Sequence, residues 1–139
     1  MNWTFTNDRP IYLQLTERLE REIASGTLAP GSWVPPVREL AGKLGISPNT
    51  VQRAMYEMER SGLIVPRGTE GKTITEDTAR IESIRQDLAR QTLEAFYREM
   101  GRLGYTREES LRLAEDYSRR QAERSEDYAE YHPAVQGSQ

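Results

Sequence analysis

The sequence predicts a mainly α-helical chain with a small β-hairpin wing: an N-terminal winged helix-turn-helix followed by a two-helix C-terminal extension. Three observations carry this. Two short amphipathic stretches meet at Gly45, the second opening on Ser47-Pro48. Two β-prone runs, Leu63-Ile64-Val65 and Thr73-Ile74-Thr75, follow at once, separated by Pro66, Gly68 and Gly71, which is a hairpin by composition. From Asp77 onward the apolar residues return to helical spacing for about seven turns.

Each element has its own start and stop signals. Asp8 followed by Pro10 supplies a side-chain acceptor and a proline for a first helix. Ile11, Leu15, Leu19 and Ile23 recur every four residues with Tyr12 beside them, and Gly26 ends the run. Residues 27–36 hold Pro30, Gly31, Pro35 and Pro36 and read as an ordered turn segment. Val37, Leu40, Ala41 and Leu44 form the apolar face of a short second helix. Val51, Ala54, Met55 and Met58 form that of a third, closed by Gly62. In the tail, Ile81, Ile84, Leu88, Ala95, Phe96, Met100 and Leu103 share one stripe. Gly104 breaks it, and Thr106 with Glu109 makes a capping box before Leu111, Ala114 and Tyr117. From about Ser125 no period remains, so fraying is expected there. The chain thus divides into a head, residues 1–75, and a helical dimerisation segment, residues 76–139.

Composition narrows the class. The 139 residues hold no cysteine, which removes disulfides and thiolate metal sites, and the lone His132 offers little for metal chemistry. No apolar run approaches ~18 residues, and the first ten residues lack the basic flank and apolar stretch of a secretion signal, so a cytoplasmic location is expected. The net charge of −3 is unevenly spread: residues 1–75 hold 9 Lys/Arg against 8 Asp/Glu, and the remainder 10 against 14. An enzyme would need paired acid/base groups or a metal cluster. The sequence supplies neither, and no cofactor is expected.

A helix that enters the major groove needs short polar side chains at its N-terminal end, where base edges and phosphates lie within reach. Ser47, Pro48, Asn49, Thr50, Gln52 and Arg53 form such a start, with Arg38 at the beginning of the preceding helix. Arg67 and Lys72 flank Gly68 and Gly71, where a backbone free of bulky side chains can approach a phosphate or the minor groove. The competing reading is a protein-interaction module that uses a winged fold without DNA. Its mark would be a neutral or acidic helix face, which Glu70 favours and Arg38 and Arg53 oppose.

The segments PIYLQLTERLEREIASGTLAPGSWVP and VRELAGKLGISPNTVQRAMYEMERSGLI, with the glycine wing, resemble the GntR family of bacterial transcriptional regulators over residues 10–75. That resemblance implies that Arg38 reaches a guanine, that Ser47, Asn49, Thr50 and Gln52 face the groove, and that Gly68 and Gly71 sit in the wing. Arg53 is assigned a phosphate or intramolecular contact. Two departures stand out. Pro36 replaces the serine of the usual LPSxR, removing a hydroxyl and a donor, and Glu70 near the wing tip would repel phosphate. With 64 residues after Thr75, the tail resembles that of the YtrA subfamily, whose short helical extension dimerises.

The expected partners are therefore a double-stranded DNA operator of near-palindromic form and a second copy of the chain, with repression as the expected role. Two amphipathic helices cannot bury their stripes alone, so Ile81, Ile84, Leu88, Phe96, Met100 and Leu103 are expected at an isologous interface. Phe96, Tyr97, Met100, Tyr105 and Tyr117 could line a small effector pocket, but at helical spacing such a set is ordinarily core, and no small-molecule effector is indicated.

Overall fold

A computed structural model of the chain describes residues 2–131, with side chains through residue 126. Five helices and three short strands follow in the order α1 (Ile11–Ser25), β1 (Trp33–Val34), α2 (Val37–Leu44), α3 (Pro48–Arg60), β2 (Ile64–Pro66), β3 (Lys72–Ile74), α4 (Thr78–Arg102) and α5 (Arg107–Tyr131). The contacts divide the chain into two units, one ending at Arg90 and the other beginning at Gln91, so the boundary falls within α4.

In the first unit, α1 buries Leu15, Leu19 and Ile23, the stripe the four-residue spacing marks out. Its start differs from expectation. Pro10 occupies the cap with no side-chain bond, while Asp8 accepts from the Thr6 hydroxyl, which holds the Asp8 carboxyl below its usual pKa. Gln14 instead fastens the incoming arm: its Nε2 donates to the carbonyls of Thr6 (2.9 Å) and Arg9 (2.8 Å), and its Oε1 accepts from the Thr6 N–H at 2.9 Å. Gly26 ends the helix in the left-handed region, φ 85°, and the Leu28 N–H reaches back to the Glu22 carbonyl at 3.0 Å.

The segment between α1 and α2 contains a strand that the sequence reading missed. Trp33 pairs with Thr73 and Val34 with Lys72, which makes the wing a three-stranded antiparallel sheet of order β1-β3-β2. Two residues set among prolines and glycines carry no alternation to read. A 3-10 turn at Gly68–Glu70 links β2 to β3. Ile64 and Ile74 point from the sheet into one core with Leu40, Leu44, Val51, Met55 and Met58, all at most 9% exposed. Each such side chain contributes roughly 1.5–3 kcal/mol by leaving water.

The first turns of α4 belong to the same unit. Asp77 caps the helix by accepting from the Arg80 N–H at 3.1 Å, and Arg80 Nη2 donates to the Ser61 carbonyl at 3.0 Å, placing a cation at the C-terminal end of α3. Ile81 and Ile84 are half-buried against the head's core. The head thus has an apolar margin of its own that these two side chains partly cover.

In the second unit, Gly104 takes φ 94°, and the capping box forms as read: Thr106 N–H donates to Glu109 Oε1 at 2.9 Å and Glu109 N–H to Thr106 Oγ1 at 3.1 Å. Helix α5 continues through Tyr131, past Ser125 where fraying was expected; His132 lies outside the described residues. Residues 125–131, SEDYAEY, offer no apolar period for a sequence reading to detect. Phe96, Met100, Leu113 and Tyr117 surround an open groove of about 500 Å³ together with Tyr105. Tyr97 turns elsewhere, edge-on to Phe96 and beneath the Arg107 guanidinium, 4.8 Å from the ring centre. Leu103 and Tyr117 are 73% and 65% exposed, so this unit keeps a broad unpartnered apolar face.

Candidate nucleic-acid interface

The turn between α2 and α3 is set by one glycine. Gly45 adopts φ 68°, its N–H and that of Ile46 both return to the Ala41 carbonyl (2.9 and 3.2 Å), and the chain leaves α2 at a sharp angle. Ser47 then caps α3. Its Oγ accepts from the Thr50 N–H at 3.2 Å and lies 2.9 Å from Thr50 Oγ1, while Pro48 fills the first helical position. The expected roles of Ser47 and Thr50 thus begin as structural ones: they spend polar groups on the cap.

Helix α3 is divided lengthwise. Val51, Ala54, Met55 and Met58 are buried, whereas Asn49, Gln52, Arg53 and Tyr56 are exposed. Asn49 and Gln52 have no side-chain partner among the described residues, and Arg38, exposed on the second residue of α2, has none either. Three polar groups able to read base edges therefore stand uncommitted on adjoining helix starts. Pro36 occupies the α2 cap without a side-chain bond, as its ring requires.

The remaining cations are held. The Arg53 guanidinium carbon lies over Tyr12, 3.8 Å from the ring centre, with Nη2 donating to the Tyr12 hydroxyl at 3.2 Å. Arg67 Nε donates to Thr73 Oγ1 at 3.0 Å, which lays its side chain back along the sheet. Lys72 Nζ sits 3.1 Å from Glu59 Oε1, both side chains about three-quarters buried. Gly68 and Gly71 take φ 62° and 120°, conformations that suit glycine, and Glu70 is exposed between them. The indole of Trp33 lies 3.7 Å from where a Cβ on Gly71 would stand, an ordinary contact distance, so it is the φ of 120° and not lack of space that calls for glycine there. Two residues of consequence escaped the sequence reading. Tyr12 passed as part of the apolar stripe of α1. Glu59 carries no local signal that distinguishes it, because its partner Lys72 lies across the fold.

An exposed polar helix start, a tight glycine turn and a three-stranded wing define a winged helix-turn-helix regulator that binds DNA. The sequence model described as "Bacterial regulatory proteins, gntR family" matches residues 11–74. YhcF of Bacillus subtilis, described as an uncharacterized HTH-type transcriptional regulator, is 37% identical over 111 residues, 80% of this chain and 92% of that protein. The B. subtilis HTH-type transcriptional repressor YtrA is 32% identical over 94 residues, 63% of this chain and 72% of its own. A solved GntR family transcriptional regulator from Listeria monocytogenes is 38% identical, covers 81% of this chain and 98% of its own, and superposes with a TM-score of 0.74. The chain belongs to the GntR family of bacterial transcriptional regulators, among relatives of the YtrA type. Both B. subtilis alignments are longer than the head, so the likeness includes part of the helical tail. Among the described residues no helix is long and apolar enough to cross a membrane.

Proposed function

We propose that the protein is a homodimeric transcriptional repressor, with no enzymatic activity, that reads a near-palindromic operator through the N-terminal edge of α3. The observation that carries this reading is the division of that helix: a fully buried apolar side behind Asn49 and Gln52, which have no side-chain partner among the described residues. An amide side chain can pair with adenine in a bidentate manner, and Arg38 is suited to a guanine, each such contact contributing roughly 1–3 kcal/mol of base discrimination. Gly68 and Gly71 let the wing backbone approach the flanking groove, with Arg67 and Lys72 next to it.

The exposed face of the second unit supports dimerisation through residues 88–117, with Phe96, Met100 and Leu103 at its centre and Leu88 at its margin. Leu111, Leu113 and Tyr117 extend that face onto α5, beyond the single stripe that sequence spacing marks out. Functionally, the division is between a reading head at residues 1–75 and a dimerising segment at 76–139, even though the first turns of α4 pack on the head. Two-fold pairing would hold two recognition helices about 34 Å apart, one turn of DNA. A repressor role follows the printed description of YtrA.

Selection of bound duplexes from random DNA tests the reading. A recovered inverted repeat with half-sites one helical turn apart is the expected result. Enrichment of unrelated sequences, or none, would overturn it.

A further inference from the structure

We propose that Tyr12 of α1 and Arg53 of α3 form one composite site for a DNA backbone phosphate, outside the base-reading edge. The inference rests on the reading that this edge of α3 enters the groove. The two residues lie 41 positions apart, yet the Arg53 guanidinium stacks 3.8 Å from the Tyr12 ring centre and donates one N–H to its hydroxyl at 3.2 Å.

What the pair leaves unused points to the ligand. That bond consumes one of five guanidinium donors and uses the tyrosine oxygen as an acceptor, so the hydroxyl keeps its own proton to donate. The other guanidinium N–H groups have no partner among the described residues. Elsewhere in the head, Arg9, Arg18, Lys43, Arg60 and Lys72 each face a carboxylate, of Glu17, Glu22, Glu39, Glu57 and Glu59 respectively. Arg53 is held by a neutral ring, so its full positive charge remains available. A planar fork of donors beside a hydroxyl donor suits the paired oxygens of a phosphodiester. The ring also fixes the guanidinium in advance, which lowers the ordering cost of binding.

Position agrees with that assignment. Arg53 follows Asn49 by four residues and so lies on the same helix face one turn further on, about 6 Å along the axis. A group there meets the wall of a groove whose floor Asn49 reads. Tyr12, from α1, forms the outer side of the site. Tyr12 is a positioning residue for Arg53 and a donor in its own right.

The test uses the full chain, its selected operator and a scrambled duplex over a series of KCl concentrations. Arg53→Ala is expected to weaken both duplexes by the same factor, about tenfold, and to reduce the salt slope by about one. Tyr12→Phe keeps the ring and removes the hydroxyl. It is expected to weaken both about threefold with the slope unchanged, because a neutral donor displaces no counterion. Neutral methylphosphonates placed singly along the operator identify the phosphate: one position per half-site should weaken the wild type and leave Arg53→Ala no weaker. An unchanged slope in Arg53→Ala, a loss confined to the operator, or identical methylphosphonate profiles for both proteins would each overturn the site. Failure to bind any duplex would instead overturn the reading of α3.

Discussion

Glu59→Gln should tighten DNA binding, although Glu59 is not itself placed to touch DNA. Lys72 lies at the base of the wing, where sequence pattern marks a phosphate contact, but its ammonium is 3.1 Å from the Glu59 carboxylate. Both side chains are about one-quarter exposed, at 28% and 25%, so water screens the pair less than a fully exposed one. A worth on the order of 1 kcal/mol is reasonable for such a pair after discounting for its remaining exposure. Within reach of a phosphate, the pair presents a net charge of zero. Glutamine retains a hydrogen-bonding oxygen and leaves Lys72 with an uncompensated charge. One added phosphate contact steepens the salt dependence by about 0.9, so the gain in affinity should be roughly 3.5-fold larger at 50 mM than at 200 mM salt. Fluorescence anisotropy with operator and scrambled duplexes measures this directly, and both should gain equally because a phosphate carries no sequence information. Adding Lys72→Ala to the variant should return the slope to that of the wild type. Parallel salt lines for wild type and Glu59→Gln would refute the reasoning and remove Lys72 from the backbone contacts.

Three further outcomes are expected. Arg38→Ala should relax preference at one base pair per half-site by about 1–3 kcal/mol while leaving the scrambled duplex little affected; a selection that returns the wild-type sequence logo would remove Arg38 from the base readers. Phe96→Asp combined with Leu103→Asp should give a monomer by sedimentation, with weakened operator binding and an intact head. Leu103 is 73% exposed and both positions lie outside the first unit, so persistence of the dimer would mean that another surface mediates pairing. The backbone N–H of Thr106, and then its hydroxyl, hold the Glu109 carboxyl below its ordinary pKa. A depressed acid stabilises the folded state above its unfolded pKa and loses that contribution as pH falls through the folded one. The start of α5 should therefore loosen in acid, below the usual glutamate range, and Glu109→Gln should make the Thr106 amide resonance insensitive across that range; an ordinary or raised Glu109 titration midpoint would count against the cap.

The legible parts of this protein are those fixed by near neighbours in sequence. Ser47 caps α3 through Thr50, three residues on, and Thr106 and Glu109 close a box of the same span. The buried faces of α1, α2 and α3 coincide with apolar spacing because one side of each helix meets a single core. What spacing could not supply depends on distant partners. Strand β1 exists because β3 offers its edge to Trp33 and Val34, and two residues hold no period of their own. Ile81 and Ile84 continue the pattern of Leu88 and Phe96 without a break, yet they cover the head's core. A stripe records that a face is apolar and leaves open which surface covers it. The same limit applies to Tyr12, Arg53, Glu59 and Lys72, whose pairings join residues from separate elements.

Those pairings also bear on how a head of nearly balanced charge can bind a polyanion. Residues 1–75 carry 9 basic and 8 acidic side chains, and several of the basic ones face carboxylates within the head. Long-range attraction is then weak, and affinity falls to the groups near the reading edge and wing that face no carboxylate among the described residues: Arg38, Asn49, Gln52 and the charges of Arg53 and Arg67. A small set of this kind discriminates between bases better than it holds DNA of any sequence, because counterion release scales with the number of phosphates neutralised. Two such heads joined in the proposed dimer would gain the missing affinity by effective concentration, since the second engagement becomes intramolecular. On the proposed reading, dimerisation offsets the balanced charge of the head, which links the exposed apolar face of α4 and α5 to DNA binding.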